Sequence, residues 1–153
     1  MKEKMTAAKG AVTALMTALA AFLGWKGILA ALWVAAMALD YISGTAAACK
    51  DGDWASAKAR EGLWHKGGML LVVLVAAMTD VAVAMAAVNL GIAGGWAGLV
   101  LPLVLAWYII TELGSVLENA VKMGAKVPGW LIRLLRAGRQ ALEDAGERTQ
   151  DDL

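Results

Sequence analysis

The stretch GGMLLVVLVAAMTDVAVAMAAV, residues 67–88, decides the fold of this chain. Asp80 is its one charged side chain, and its length matches the run of about 20 apolar residues with which a helix crosses the hydrocarbon core of a bilayer. Apolar and polar residues do not alternate along it, as they would in a strand of a membrane β-barrel. Because a backbone in hydrocarbon must satisfy its hydrogen bonds internally, the stretch predicts a transmembrane helix.

Three further stretches share this character. Together the four predict spans at about residues 6–23, 28–48, 67–88 and 97–117. Within the second of these spans Asp40 is the one charged side chain. The predicted fold class is therefore all-α: a polytopic helical membrane protein with about four transmembrane helices, in a transmembrane domain at residues 1–120. Residues 121–153 are expected to form a cytoplasmic amphipathic helix and an acidic tail.

The composition excludes several classes of protein. Of the 153 residues, 60% are hydrophobic, and the mean hydropathy of +0.63 excludes a disordered chain and an ordinary soluble domain. A single cysteine, Cys49, excludes a disulfide framework, and one histidine with one cysteine cannot build a typical metal site. The net charge of +1 argues against a nucleic-acid partner. Because phosphate-binding loops and catalytic triads are absent from the sequence, we expect no cofactor and no enzymatic activity.

The distribution of Lys and Arg predicts the topology, since short cytoplasmic segments of membrane proteins are enriched in these residues. All but one of the 14 basic residues lie at the N-terminus, in the loop after the second span, or after the fourth span. Lys26, between the first and second spans, is the exception. Four spans with both termini in the cytoplasm place all three basic segments on the cytoplasmic side.

The first predicted span carries a mildly polar line at helical spacing. The line consists of Thr6, Gly10, Thr13 and Thr17. Small residues allow membrane helices to approach closely, and a line of this kind is a candidate pore-facing stripe. Alternatively, each Thr hydroxyl bonds the carbonyl one turn earlier in its own helix, and the line then faces any neighbour.

Each of the other three spans carries an acidic residue on the helix face that has the smallest or the most polar side chains. The residues of this predicted polar seam are Asp40, Gly44, Asp80, Tyr108, Glu112, Ser115 and Asn119. An ionised, unpaired carboxylate is costly in hydrocarbon, so the acids are expected to face protein or water, or to be protonated. The seam then either joins subunits and lines water when helices part, or makes hydrogen bonds within one folded subunit. Lys66 and His65 are candidate partners of Asp40 or Glu112 at the cytoplasmic boundary.

The segment after the fourth span changes character. Pro128 stands where a helix would begin. The apolar positions at helical spacing are Val127, Leu131, Leu134, Leu135 and Leu142. Arg133, Arg136 and Arg139 lie largely off this stripe, which predicts a basic amphipathic helix whose arginines contact the inner leaflet. The alternative is a helix packed against the cytoplasmic ends of the spans.

Four strings occur in a fixed order along the chain: Asp40-Tyr41-Ile42-Ser43-Gly44, Gly62-Leu63-Trp64-His65-Lys66, Tyr108-Ile109-Ile110-Thr111-Glu112 with Ser115 and Glu118-Asn119, and Met123-Gly124 with Val127-Pro128. In order and spacing they resemble strings of the phage holins of the toxin-secretion and phage-lysis type, which include clostridial toxin-export proteins. The resemblance covers about Asp40 to Leu135. Thr111 departs from it, because many members have Asn there.

This resemblance implies a protein that accumulates in the cytoplasmic (inner) membrane of the host bacterium and then oligomerises into lesions. The implied partners are the lipid bilayer, other copies of the chain, and a phage endolysin that escapes to the cell wall without direct contact. The residues also fit two other functions. One is a small gated ion channel or proton-coupled carrier that uses Asp40, Asp80 and Glu112. The other is a non-conducting membrane adaptor that docks a cytoplasmic partner through its C-terminal arginines.

Overall fold

The computed structural model describes the backbone of residues 2–50, 52, 56–91 and 98–151, and the side chains of residues 24–50, 52, 62, 64–91 and 98–148. Over these ranges the chain forms four helices and no strand. The helices are α1 (Lys2–Lys50), α2 (Ser56–Leu90), α3 (Val100–Lys122) and α4 (Gly129–Asp151). The prediction of an all-α protein is confirmed for this part of the chain.

A break at Gly24 divides α1 into two helical segments. The φ of 65° and ψ of 177° at Gly24 lie outside the helical region, in a conformation that glycine adopts without steric penalty. The break falls between the predicted first and second spans. The backbone of the predicted first span is helical, but the side chains of Thr6, Gly10, Thr13 and Thr17 lie outside the described residues. The pore-facing stripe therefore stays a prediction.

Three segments in the described part of the chain are long and apolar enough to cross a membrane: Gly24–Lys50, Trp64–Leu90 and Val100–Lys122. They coincide with the predicted second, third and fourth spans, but their bounds differ. α2 begins at Ser56, well before the expected start, because Lys, Arg and Glu are good helix formers and end an apolar run without ending the helix. α3 begins slightly later than expected and continues to Lys122.

The central helix is α3, which contacts each of the other three, whereas α1 and α2 barely touch. α1 runs parallel to α3, and at their common end Lys50 Nζ donates to the carbonyl oxygen of Lys122 over 3.0 Å. α2 runs antiparallel to both. A small core lies where they meet, with Trp33, Met69 and Leu105 contributing one buried side chain from each helix. Partly buried apolar side chains from the three helices, among them Leu29, Val73 and Leu101, pack against this core.

The outer faces of these helices are apolar and exposed. On α2, for example, the exposed side chains include Leu71, Val75, Met78 and Val88. A soluble protein rarely exposes so large an apolar surface, but lipid tails are as apolar as the side chains themselves. The exposed faces therefore support helices that lie in a bilayer.

After α3 the chain turns back on itself. Gly124, with a φ of 97°, follows the last turn of α3, and α4 begins just after Pro128. α4 then packs along α3 rather than standing free of the helices. A Cβ atom at Gly138 would lie 3.2 Å from Cδ1 of Ile110, so glycine permits this close approach. The C-terminal helix expected on the inner leaflet is thus present, and in the structure its apolar side contacts α3.

Candidate functional site

A buried lysine joins three helices in the apolar region. From α2, Lys66 Nζ donates to Oδ2 of Asp40 on α1 over 3.0 Å and to Oε2 of Glu112 on α3 over 2.7 Å. The side chains of Lys66 and Glu112 are 15% and 5% exposed. The sequence offered two partners for these acids, and the structure selects Lys66, because the neighbouring His65 is exposed and makes no such contact.

Asn119 extends this group along α1 and α3. Its Nδ2 atom donates to Oδ1 of Asp40 over 3.1 Å and to Oγ of Ser43 over 3.2 Å. Gly44 leaves the room for it, since a Cβ atom there would lie 3.4 Å from the same Nδ2 atom. Four residues of the predicted polar seam thus come together with Ser43 and Lys66. We call the group the charge cluster: Asp40, Ser43, Gly44, Lys66, Glu112 and Asn119.

The charge cluster holds two carboxyl groups and one ammonium group. An unpaired charge is costly in a low-dielectric interior, and Lys66 offers each carboxylate a charge-assisted hydrogen bond. Over the described ranges, no group of three or more His, Cys, Asp or Glu side chains could hold a metal ion. Lys66 is therefore the cation that both carboxylates share. Water entering between the helices would change the energy of this charged group more than that of its apolar surroundings.

A second charged group lies at the opposite end of the same helices. Asp80 on α2 accepts hydrogen bonds from the backbone N–H groups of Val100 and Leu101, over 2.9 and 3.2 Å. A carboxylate in this position satisfies donors that have no partner within α3 and complements the dipole of the helix. Lys26 Nζ lies 3.6 Å from Oδ2 of Asp80. The structure therefore separates Asp80 from the rest of the predicted polar seam and makes it the cap of α3.

The two lysine–aspartate pairs between α1 and α2 share one sequence spacing. Lys26 precedes Asp40 on α1 by the same number of residues as Lys66 precedes Asp80 on α2. Because the two helices are antiparallel, the lysine of each meets the aspartate of the other. α1 and α2 share little other contact, so the two pairs are their main direct link.

Comparison with known proteins identifies the chain. The sequence profile of the bacteriophage holin family matches residues 16–139. This protein belongs to the bacteriophage holin family. A relative named only as an uncharacterized protein, from Clostridium perfringens (strain 13 / Type A), is 33% identical over 98 residues, which make up 64% of this chain and 65% of the relative. The match thus spans slightly less than two thirds of the relative's length, and no solved structure matches.

All of the charge cluster lies within the range that matches the holin family. Two further residues of the predicted seam make contacts outside the charge cluster. Tyr108 stacks on Trp33 with 6.2 Å between ring centroids, and Ser115 donates to the carbonyl oxygen of Thr111 over 3.4 Å. Lys26, Ser43 and Trp33 are not among the predicted site residues. The repeated lysine–aspartate spacing is the signal that identifies Lys26.

A further polar contact joins α3 to α4 in this holin-family chain. Trp107 Nε1 and Arg139 Nε both donate to Oε1 of Glu143, over 3.0 and 2.9 Å. These hydrogen bonds, that from Trp107 first, lower the pKa of Glu143. The Arg139 guanidinium also lies 5.4 Å from the centroid of the Trp107 ring. Arg139 is thus turned towards α3, whereas Arg133 and Arg136 are exposed on other sides of α4.

Proposed function

We propose that this protein is a holin, which oligomerises in the cytoplasmic membrane of a bacterium, forms lesions that release an endolysin, and thereby times host cell lysis. One observation carries the proposal: a member of the holin family pairs the partly buried Asp40 and Lys66 with the buried Glu112, between helices that are apolar enough to cross a membrane. A purely structural bundle would be at least as stable with apolar residues at these positions. The buried charges are therefore attributed to function, and they would be hydrated when the helices part.

The proposed membrane placement has four transmembrane helices and both termini in the cytoplasm. The segment of α1 before Gly24 is the first span, and the three apolar segments follow it. Lys50 and Lys122, which meet at one end of α1 and α3, then lie on the cytoplasmic side, as basic residues prefer. Lys26 and Asp80 lie at the outer side. Before assembly, α4 lies as an amphipathic helix at the inner leaflet, where basic side chains attract anionic headgroups.

The proposed mechanism exchanges contacts within a subunit for contacts between subunits and with water. In a single subunit before assembly the charge cluster is paired internally, so the protein accumulates without perturbing the bilayer. Assembly through small-residue faces parts the helices and hydrates the cluster, which removes much of the penalty for its charges. A membrane potential acts on each displaced charge by about 2.3 kcal/mol per 100 mV, so a loss of potential shifts the balance between the two arrangements. The endolysin passes through the lesion and needs no direct contact.

Inducible expression in a bacterium that carries a folded cytoplasmic reporter enzyme tests the proposal. Culture growth, membrane potential and reporter activity in the medium are followed together. Sudden growth arrest with depolarisation and escape of the folded reporter is expected. Depolarisation with the reporter retained would instead identify a small ion channel or proton-coupled carrier. Continued growth with an intact potential, in cells that hold the protein in the membrane, would contradict the holin function and favour a non-conducting adaptor.

The role of the buried acids is tested separately with Asp40→Asn, Asp80→Asn and Glu112→Gln. Each variant is expected to change the time of lysis and the response to an uncoupler, because each changes the charge that the membrane potential acts on. Glu118→Gln is a matched control, since Glu118 is exposed at the end of α3. If all three variants lysed cells at the parental time with the parental uncoupler response, the buried acids would have no part in triggering.

A further inference from the structure

The docking of α4 on α3 carries charged residues to the depth of the membrane. Gly138 lies against Ile110, close to the middle of α3, and Glu143 reaches Trp107, still closer to the start of α3. The two helices are therefore antiparallel neighbours. From Lys122 back to Trp107, α4 accompanies α3 over roughly 22 Å at 1.5 Å per residue, most of a hydrocarbon core about 30 Å thick.

α4 has two opposite faces in this arrangement. The positions turned towards α3 are half-buried and apolar or small: Leu131, Leu135, Gly138, Leu142 and Ala145. The opposite face is exposed and polar: Arg133, Arg136, Gln140, Asp144 and Glu147. We call this second set the outer polar face of α4. The apolar side of α4 thus packs against α3, and the outer polar face points away from every helix in the described part of the chain.

The outer polar face cannot lie against lipid tails. A charged side chain at the centre of a membrane helix costs about 2.5–3.5 kcal/mol on insertion scales, and the face carries four of them. α4 is accordingly not among the segments apolar enough to span a membrane. A helix that accompanies α3 across the bilayer and carries this face must have water on that side.

The order of charges along α4 gives a second argument. Its N-terminal half carries Arg133 and Arg136, and its C-terminal half carries Asp144 and Glu147. On the outer polar face this order places cations towards the cytoplasmic end and anions towards the outer end when α4 is docked on α3. Arg148, in the last turn of α4, is not part of this face.

We propose that the docked α4 forms the water-facing wall of the lesion, with its outer polar face lining the aqueous opening. This inference rests on the proposed holin function and identifies the surface that contacts water in the lesion. In the described part of the chain α4 contacts α3, and α1 and α2 contact α3 on its other sides. The turn between the two helices, with Gly124 in a left-handed conformation and Pro128 ahead of α4, is the place where α4 leaves the inner leaflet and folds back along α3.

The test uses the full-length protein with Cys49→Ser, reconstituted in dye-loaded vesicles of phosphatidylethanolamine and phosphatidylglycerol. A fluorophore is attached at Gln140→Cys on the outer polar face, or at Leu142→Cys on the side that contacts α3 as the matched control. Iodide reports access to water, and nitroxides on lipid tails or headgroups report depth. In vesicles that release dye, iodide quenching is expected to be several-fold stronger at position 140 than at 142, with both fluorophores placed near the middle of the bilayer.

The other outcomes separate the two proposals. Dye release with position 140 at headgroup depth would show that α4 stays on the membrane surface, and it would overturn this inference alone. Dye release with position 140 quenched by lipid-tail nitroxides and not by iodide would overturn it as well. If the unlabelled protein inserts but releases no dye, the proposed holin function fails, and the inference fails with it.

Discussion

Lys66 and Glu112 are 46 positions apart in sequence, yet the lysine ammonium lies 2.7 Å from the glutamate carboxylate, which is almost completely buried. The same ammonium contacts Asp40 on α1. Because α1 and α2 otherwise barely touch, this one side chain ties all three apolar helices together at a single level. The stability of the subunit and the free-energy cost of separating its helices are therefore expected to depend on Lys66.

Replacing Lys66 by methionine is expected to lower the free energy of unfolding of the subunit in detergent by about 3 kcal/mol, because two carboxylates lose their buried cation. Thermal or denaturant unfolding measures the loss. Lys126→Met, at an exposed position after α3, is the matched control and is expected to leave the midpoint unchanged.

A compensating variant distinguishes lost charge pairing from lost packing at position 66. Adding Asp40→Asn and Glu112→Gln to Lys66→Met removes the orphaned charges, so most of the stability is expected to return. If the triple variant is no more stable than Lys66→Met alone, the effect arises from packing around position 66, and the electrostatic account is wrong.

Asp80→Ala is expected to loosen the start of α3. The substitution removes the acceptor of the Val100 and Leu101 N–H groups, and the loss of such a cap costs about 1–2 kcal/mol. Hydrogen exchange of these two amides is expected to become about tenfold faster, since 1.4 kcal/mol corresponds to a factor of ten.

Thr79→Ala is the control for this substitution, because the Thr79 hydroxyl donates only to the carbonyl of Val75 within its own helix. It is expected to leave the first turn of α3 protected. Unchanged exchange at Val100 in Asp80→Ala would mean that the start of α3 is fixed by other contacts, and the capping role of Asp80 would have to be abandoned.

Hydropathy and charge spacing predict about four spans, three of which coincide with the apolar segments of the structure. They also predict every member of the charge cluster except Ser43, with Lys66 as one of two candidate partners, because both signals are local. A lone acid in an apolar run must have a partner, so Asp40 and Glu112 were identifiable from one sequence. Which cation supplies the partner depends on the register of helices that are far apart in the chain. Lys66 is found there because α2 runs antiparallel to α1 and α3, and helical periodicity does not contain that information.

The same limit explains the placement of Asp80 and of α4. The sequence puts Asp80 on the small face of its helix but does not show that α3 begins beside it, where two N–H groups need an acceptor. The amphipathic pattern after Pro128 predicts an apolar side for α4 and fits a lipid surface and a neighbouring helix equally well. In the structure Gly138 approaches Ile110 and α4 contacts α3, whereas contact of α4 with the inner leaflet stays a prediction.

The contact between Glu143 and Trp107 is expected to make α4 docking sensitive to acid. Hydrogen bonds from Trp107 and Arg139 lower the pKa of Glu143 below its ordinary value of 4.5. A carboxyl group whose pKa is lower in the folded state stabilises that state above the ordinary pKa, and this contribution is lost as the pH falls through the lowered value. Docking of α4 is therefore expected to weaken only in strongly acidic solution.

Carbon-13 NMR of the Glu143 carboxyl group in detergent micelles measures this titration. In Trp107→Phe the midpoint is expected to rise towards the ordinary value, because the first hydrogen bond is lost. In Glu143→Gln the acid-induced weakening of docking should disappear. Equal midpoints for the parent and Trp107→Phe would show that the indole does not stabilise the carboxylate in the folded protein.

The two glycines of α4 offer a matched test of whether docking on α3 matters for permeabilisation. A Cβ atom at Gly138 would lie 3.2 Å from Ile110, whereas one at Gly146 would meet nothing within 4 Å. Leucine at either position improves helix propensity equally, but only Gly138→Leu forces α4 away from α3, at about 1–3 kcal/mol.

That penalty shifts the docking equilibrium roughly tenfold or more, since 1.4 kcal/mol is a factor of ten. Gly138→Leu is therefore expected to delay release of a cytoplasmic reporter. In the Cys49→Ser background it is also expected to lengthen the distance between spin labels at Glu118→Cys on α3 and Arg136→Cys on α4. Gly146→Leu should behave as the parent in both measurements. A longer label distance with an unchanged time of release would show that the docked helix is dispensable for the lesion.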